Sequence, residues 1–259
     1  MGFVPFYSQI FDLPIWKIYP NNTKSALCVE FRDASTLSAK FGLLDLSNCS
    51  WKWIDIFNAN NWWTGVETFH NNIIYFHHYD PTLFSKHLGV IAYHPFENKI
   101  KWQLKMATFV KIENDFLWAL KLKEEIPVRF DLESGNEIVD QNSAYQIIQE
   151  KINCIYPNIF QIGELQFEKI KTFLLNKFTQ SIYQSVEYLE FDQLIIISYY
   201  TKSDSAITNN LLIINREGSV LLHEKLQQEA KGIGFGTFFI YNRILITIKN
   251  TSELLAYEI

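Results

Sequence analysis

The chain has 259 residues, of which 48% are hydrophobic, 20% are charged and 16% are aromatic. This composition excludes a disordered or low-complexity protein, because so many apolar side chains suffice to build a substantial core. The net charge is -5 and no basic stripe is present, which argues against nucleic acid as a partner. No stretch approaches the ~20 apolar residues of a membrane span, and the N-terminus lacks the basic start of a signal peptide. We therefore expect a cytoplasmic protein without a membrane partner.

Short strands separated by turns are predicted along most of the chain, since the apolar runs are rich in aromatic and β-branched residues. Asn, Asp, Gly and Pro occupy the intervening turns. In chain order the strand-like runs are PFYSQIF, LPIWKIYP, ALCVEF, FGLLDLSNCSWKW, GVETFH, NNIIYFHHY, LGVIAYHPFENKIKW, TFVKIE, DFLWALKL, VRFDLESGNEIV, SVEYLEF, QLIIISYY, LLIINREGSVLL, GTFFIYN, RILITIKN and ELLAYEI.

A repeated phrase, in which a polar residue follows an apolar run, organises these strands. The polar residues are Asp45, His94, Asp131, Asn215 and Glu258, which lie 49, 37, 84 and 43 residues apart. A period of roughly 40–50 residues is typical of β-propeller blades. The pattern predicts one all-β domain over residues 1–259, a β-propeller of five or six four-stranded blades. The last unit lacks a strand, so we expect an N-terminal strand to close the ring.

One region, residues 142–185, interrupts the repeat as either an irregular blade or an insertion. Within it, Phe167, Ile170, Phe173, Leu174 and Phe178 follow helical spacing, which predicts a helix over 164–177. A second short helix is predicted over 143–152.

Two resemblances to known families add to this interpretation. The phrases VIAYHPFENKIKW and VRFDLESGNEIV resemble the repeat of quinoprotein-like (PQQ-type) β-propellers; the resemblance supports the fold and does not extend to the cofactor. Over most of its length the chain resembles a Bacteroidetes domain family of unknown function, through IWKIYP, VEFRD, WW, HLGVIAYHPFENKIKW and TFFIYNRILITIKNTSELLAYEI. That resemblance implies a bacterial origin and a cytoplasmic location, and it carries no activity.

Four residues form the predicted binding surface. Glu30 and Arg32 alternate onto one face of a strand, where they form either a structural ion pair or a clamp for a carboxylate or phosphate. Trp62 and Trp63 follow in the loop NANNWWTG, and they serve either packing between blades or stacking on a sugar, peptide or base. Loops that connect blades gather at one end of a propeller, which would bring these residues together.

The histidine-rich stretch HHYDPTLFSKH, residues 77–87, offers a weaker candidate for a metal site. His78 and Asp80 share a face of the predicted strand, His77 points the other way, and His87 would have to fold back toward them. The alternative is a polar hairpin loop with surface histidines, and on balance no metal is expected.

The pattern favours a non-enzymatic binding or interaction module whose partner is an unknown protein or a small polar ligand. The alternative is an enzyme, a hydrolase or lyase, with its site in the central channel. A third possibility is a structural partner in a larger assembly. No cofactor is expected, because the chain has no nucleotide-binding glycine pattern, nucleophile elbow or CxxC pair. The three cysteines, Cys28, Cys49 and Cys154, are expected to be reduced.

Overall fold

A computed structural model describes residues 3–57, 61–79, 87–139, 154–204 and 206–259. These residues form strands and one α-helix, so the predicted all-β class is confirmed. The chain divides into two compact units, one of Met1–Asp12 with Asn153–Ile259 and one of Leu13–Ile152. The single domain expected over residues 1–259 stays a prediction. Among the described ranges, no helix combines the length and apolar character that a membrane crossing requires.

The first half of the described chain contains twelve strands. They are β1 (Tyr7–Ile10), β2 (Ile15–Pro20), β3 (Ala26–Asp33), β4 (Ser38–Asp45), β5 (Ser50–Ile54), β6 (Thr64–His70), β7 (Ile73–Tyr79), β8 (His87–His94), β9 (Lys99–Leu104), β10 (Ala107–Glu113), β11 (Phe116–Lys121) and β12 (Val128–Asp131). The second half contains β13 (Cys154–Ile155), β14 (Asn158–Gln161), α1 (Leu165–Phe178), β15 (Ile182–Phe191), β16 (Leu194–Ser203), β17 (Ala206–Asn215), β18 (Val220–Ala230), β19 (Phe238–Tyr241), β20 (Ile244–Lys249) and β21 (Glu253–Glu258).

These strands form five antiparallel sheets within the described ranges. The Leu13–Ile152 unit holds the sheets β2-β3-β4-β5, β6-β7-β8-β9 and β10-β11-β12. The other unit holds β14-β15-β16-β17-β18 and β1-β21-β20-β19-β13. Two sheets have the predicted four strands, whereas the others have three, five and five. The prediction of four strands in every sheet is therefore wrong for the two five-stranded sheets, which the short strands β13 and β14 extend. The third sheet has three strands among the described residues, and the chain after it, residues 140–153, lies outside them.

The repeated polar residue stabilises a turn in four of the sheets. Asp45, His94, Asp131 and Asn215 each end a strand, and each side chain accepts a hydrogen bond from a backbone N–H of the following turn. The four donor–acceptor distances run from 2.7 to 3.1 Å. Such local bonds favour a turn over continued strand. The sequence repeat thus marks the turn that follows β4, β8, β12 and β17.

The N-terminal strand completes the sheet that contains the C-terminus. β1 pairs antiparallel with β21, with Tyr7 opposite Ala256 and Ile10 opposite Glu253. This pairing confirms that an N-terminal strand completes the last repeat. It covers an edge of β21 that would otherwise present unpaired N–H and C=O groups.

The core of the Leu13–Ile152 unit lies on both faces of its middle sheet. Ile74 and Phe76 of β7 pack in a cluster with Phe41 of the first sheet. Ile73 and Tyr75, their neighbours in sequence, pack in a second cluster with residues of β11 such as Leu117 and Ala119 of the third sheet. Because successive side chains of a strand point to opposite faces, one apolar strand supplies both clusters.

The helix α1 covers one face of the sheet β14-β15-β16-β17-β18, which confirms the helix predicted over 164–177. Phe167 and Leu174 are fully buried and pack with Val186, Ile197 and Leu212 of that sheet. The other face packs against β19, β20 and β21. Residues 142–185 therefore contain a helix that buries an apolar sheet face. The second helix, predicted over 143–152, lies outside the described residues.

A β-bulge interrupts the first strand of each sheet in the Leu13–Ile152 unit. The pairing register shifts at Trp16 in β2, at Glu67 in β6 and at Val110 in β10. A bulge adds one residue to a strand and re-aims the side chains around it. Two of these residues, Trp16 and Glu67, line one cavity.

Candidate functional site

The ion pair predicted from VEFRD is present and buried on β3. The Arg32 Nε donates to Glu30 Oε1 over 2.7 Å, and the two side chains are 12% and 2% exposed. Tyr19 donates its hydroxyl to Glu30 Oε2 over 3.0 Å. Burial and the adjacent Glu30 carboxylate both raise the pKa of Tyr19 far above its ordinary value, so the phenol stays protonated and donates this bond.

The guanidinium of Arg32 also holds the tryptophan loop in place. Its Nη1 donates to the carbonyl of Trp62 over 2.5 Å, and its Nη2 donates to the carbonyl of Thr64 over 2.7 Å. The guanidinium carbon lies 5.2 Å from the centre of the Trp62 ring, within cation–π range. Three of the five N–H groups of Arg32 thus serve the protein itself, so this residue positions the site more than it offers a free clamp.

Two tryptophan rings remain available at the edge of the same region. Trp16, the bulge residue of β2, is 68% exposed, and Trp63 is 50% exposed. Large exposed rings near polar groups suit stacking on a flat ligand, because an indole combines an apolar face with a polar edge. Lys17 lies next to Trp16, and its ammonium nitrogen lies 4.7 Å from the centre of the Tyr19 ring.

Three ionisable side chains from neighbouring strands converge beside these aromatic residues. Glu67 of β6, His77 of β7 and His87 of β8 place their ligand atoms within 4.8 Å of one another. Glu67 Oε1 lies 2.9 Å from Nδ1 of His77 and 2.6 Å from Nδ1 of His87. The two imidazole rings are stacked, with centroids 3.6 Å apart and planes inclined by 12°. We call these three residues the Glu67 cluster.

The local backbone explains how the Glu67 cluster forms. Counting back from the turn at Asn71 and Asn72 in unbroken register would place Val66 opposite His77. The bulge at Glu67 places Gly65 there instead. A Cβ atom on Gly65 would lie 2.8 Å from the His77 ring, so only glycine leaves the space that this imidazole occupies.

Electrostatics inside the Glu67 cluster favour a charged carboxylate. Burial acts to raise the pKa of Glu67, but the adjacent His77 and His87 outweigh it and hold that pKa below its ordinary value. His77 is almost fully buried, and its Nδ1 lies close to Glu67 without forming a hydrogen bond. Both ring nitrogens of His77 therefore lack a hydrogen-bond partner among the described residues. Buried polar groups of this kind are uncommon in native proteins.

The ion pair, the tryptophans and the Glu67 cluster surround one cavity of about 450 Å³. This volume lies within the range of small-molecule sites, roughly 300–1,000 Å³. Its lining includes Trp16, Lys17, Trp63, Glu67, Tyr79 and His87. The four residues predicted to bind ligand, Glu30, Arg32, Trp62 and Trp63, all belong to this lining as well.

The histidines predicted as weak metal candidates have different surroundings. His78 lies on the opposite face of β7 from His77 and bonds through Nδ1 to the hydroxyl of Thr64 over 2.8 Å. Burial, aided by His77, lowers the pKa of His78. His87 joins His77 and Glu67 instead of His78, and Asp80 lies outside the described residues. The grouping of His78 with His87 is therefore corrected to a grouping of His77 with His87.

Sequence reasoning missed Glu67 as a site residue and grouped His87 with His78, but it placed His77 on the face opposite His78, as the structure does. The alternation of GVETFH does place Gly65 and Glu67 on one side of β6. The one-residue bulge then decides which histidine of β7 meets them. Gly65 inside β6 is a sequence signal for a bulge, but it does not say at which residue the register shifts. Trp16 was missed for the same reason, since it too occupies a bulge.

A protein-family comparison matches part of the chain. The family described as "Domain of unknown function (DUF4905)" matches residues 21–102, which is less than half of the chain. This range includes Glu30 and Arg32, Trp62 and Trp63, and the Glu67 cluster, but it excludes Trp16, Lys17 and Tyr19. No curated protein matches the chain.

Several solved structures show distant similarity to the chain. BamB from Moraxella catarrhalis is 10% identical with a TM-score of 0.36, and the match covers 99% of both chains. TolB from Acinetobacter baumannii is 9% identical with a TM-score of 0.31, covering 95% of this chain and 55% of that one. Hydrazine synthase from Kuenenia stuttgartiensis is 13% identical with a TM-score of 0.28, covering 95% of this chain and 80% of that one.

Proposed function

We propose that the protein is a binding module that holds a small polar ligand, a sugar of one or two rings, in the cavity beside Trp16 and Trp63. The observation that carries this proposal is the convergence of two exposed indole rings with ionisable groups about a cavity of about 450 Å³. A sugar ring presents an apolar C–H face to an indole and hydroxyl groups to the polar lining. Lys17, Glu67 and His87 supply both donors and acceptors for those hydroxyls.

The buried ion pair supports this function by keeping the tryptophan loop rigid. Arg32 is fixed by Glu30 and in turn binds the carbonyls on both sides of Trp63. A loop that is already ordered loses less conformational entropy when a ligand binds, which favours affinity.

Ligand-observed saturation-transfer NMR with a panel of neutral mono- and disaccharides tests this proposal. We expect transfer to one or more sugars, and about tenfold weaker binding by Trp63→Ala, because loss of one stacked ring is worth roughly 1.4 kcal/mol. Trp53→Ala is the matched control, since Trp53 is 48% exposed and does not line the cavity. Absence of transfer to every sugar, or equal binding by Trp63→Ala and the wild type, would overturn the proposal.

The second candidate is a hydrolase or lyase that uses the same cavity. The observation that favours it is the carboxylate of Glu67, whose Oε1 lies 2.9 Å and 2.6 Å from the Nδ1 atoms of His77 and His87, since such groups serve as general acids and bases. Release of nitrophenol from nitrophenyl glycosides by the wild type, with loss in Glu67→Gln, would establish this candidate. Glycoside binding without release of nitrophenol would favour the binding module over the enzyme.

Other expectations from the sequence belong to this proposal. A closed β-propeller is supported by the repeated turn residue and by the pairing of β1 with β21. The cytoplasmic location, the bacterial origin and the absence of a cofactor or nucleic-acid partner stay predictions.

A further inference from the structure

The Glu67 cluster has a feature that sugar binding does not explain. His77 is 4% exposed at its side chain, and neither ring nitrogen has a hydrogen-bond partner among the described residues. A buried imidazole normally donates one N–H and accepts at the other nitrogen. Here the imidazole is buried 2.9 Å from a carboxylate oxygen and stacked on a second imidazole, and neither of its nitrogens has a hydrogen-bond partner in the described part of the chain.

The three side chains reach this point from three adjacent strands. Glu67 comes from the bulge of β6, His77 from β7 and His87 from the first residue of β8. A site that draws one residue from each of three paired strands is held by the sheet itself, so its ligand atoms keep their relative positions. The bulge supplies the third group by re-aiming β6 around Glu67.

We propose that the Glu67 cluster binds one divalent zinc ion through Glu67, His77 and His87. Two imidazole nitrogens and one carboxylate oxygen form a three-residue set that zinc binds when its fourth position is left open. Magnesium and calcium prefer oxygen ligands, so this donor set disfavours them. The ligand atoms lie within 4.8 Å of one another, and the two rings would have to turn out of their stacked arrangement to reach the ~3.3 Å separation of a tetrahedral site with bonds of about 2.0–2.1 Å.

The open position of this zinc site would face the cavity. His87, the most exposed of the three ligands at 33%, lines the cavity together with Glu67 and His77. A zinc ion there could accept a hydroxyl or carboxylate oxygen of a bound molecule as its fourth ligand. Metal binding itself needs no organic ligand, so this inference does not rest on the proposed sugar.

Zinc titration of the full chain, after removal of metal with a chelator, tests the site without any sugar present. We expect one zinc ion per chain by calorimetry, and intense visible absorption of a four-coordinate site when cobalt replaces zinc. His87→Ala should weaken zinc binding by more than about 100-fold, because it removes a direct ligand and not only an orienting partner. Glu67→Gln should weaken it as well, since an amide oxygen carries no charge.

His94→Ala is the matched control, because His94 lies at the other end of β8 and faces Glu97 outside the cluster. We expect its zinc affinity to equal that of the wild type. His87 is chosen over buried His77 so that the variant keeps its fold, which circular dichroism verifies. Failure of the wild type to bind stoichiometric zinc, or equal affinity in His87→Ala, would overturn the site. Neither result would affect the saturation-transfer measurement with sugars, so the two proposals can fail separately.

Discussion

Replacing Arg32 by methionine leaves the carboxylate of Glu30 buried without its cation. The Glu30 side chain is 2% exposed and that of Arg32 is 12% exposed, so water can do little to compensate. Removing one partner of a buried pair costs about 3–5 kcal/mol, since the remaining charge is desolvated. The carbonyls of Trp62 and Thr64 lose their donors in the same variant. We expect Arg32→Met to lower the free energy of unfolding by about 3–5 kcal/mol.

A double-mutant cycle separates this charge effect from lost packing. Glu30→Gln keeps an oxygen that can accept from Tyr19 and removes the charge. The variant with both Glu30→Gln and Arg32→Met should therefore be more stable than Arg32→Met alone, with a coupling energy of about 1–3 kcal/mol.

Urea unfolding, monitored by near-UV circular dichroism, measures these differences in the free energy of unfolding. They are read from the shift in the urea midpoint, provided that the slope of free energy against urea concentration is unchanged. Arg216→Met is the control, because it removes an exposed ion pair instead of a buried one. Arg216 Nη2 lies 3.3 Å from Glu190 Oε2, and the two side chains are 51% and 47% exposed. Its cost should be about 0–1 kcal/mol. A loss below about 1 kcal/mol for Arg32→Met, or a double variant whose loss equals the sum of the single losses, would refute the reasoning.

Four further changes test other parts of the fold. Gly65→Ala should cost about 1–3 kcal/mol in urea unfolding, because the new Cβ would meet the His77 ring at 2.8 Å, and unchanged stability would contradict the tight approach. Phe167→Ala should lower the free energy of unfolding by about 3–5 kcal/mol, since this side chain of α1 is fully buried against the sheet. A much smaller decrease would show that the helix does not cover the sheet. Deleting residues 1–12 removes β1 from the edge of β21 and should cause aggregation visible by light scattering, and a soluble truncated chain of equal stability would count against that role. For His78, the folded-state pKa lies below the unfolded value of about 6.5, so the unfolded state binds the proton first as pH falls. The free energy of unfolding therefore decreases below that pH. This decrease between pH 7.5 and 5.5 should be smaller in His78→Gln than in the wild type.

The elements of the fold could be predicted because their signals are local. Asp45, His94, Asp131 and Asn215 mark a turn through a bond to a backbone N–H a few residues away, so the repeat is visible without tertiary contacts. The helix α1 was predictable from its apolar spacing. The number of strands in each sheet was not, because very short strands such as β13 and β14 carry no periodic pattern of their own.

The cavity was only partly predictable from sequence. The alternation of β3 placed Glu30 and Arg32 on one face, and the structure shows their ion pair. What Arg32 does with its remaining donors depends on the loop of Trp62, which is thirty residues away in sequence and adjacent only after folding. The histidine cluster depends on a register shift whose position the sequence of β6 does not give, although Gly65 marks that strand as a candidate for a bulge.

Sequence alone determined the all-β class, the repeat, the helix and the completion of the last sheet by an N-terminal strand, because each follows from periodicity or from backbone bonds within a few residues. Tertiary structure alone decided that Glu67 meets His77 and His87, and that Trp16 stands beside Trp63 at one cavity. The physical reason is that a bulge of one residue changes which side chains share a face of a sheet, and that the side chains it brings together come from three different strands.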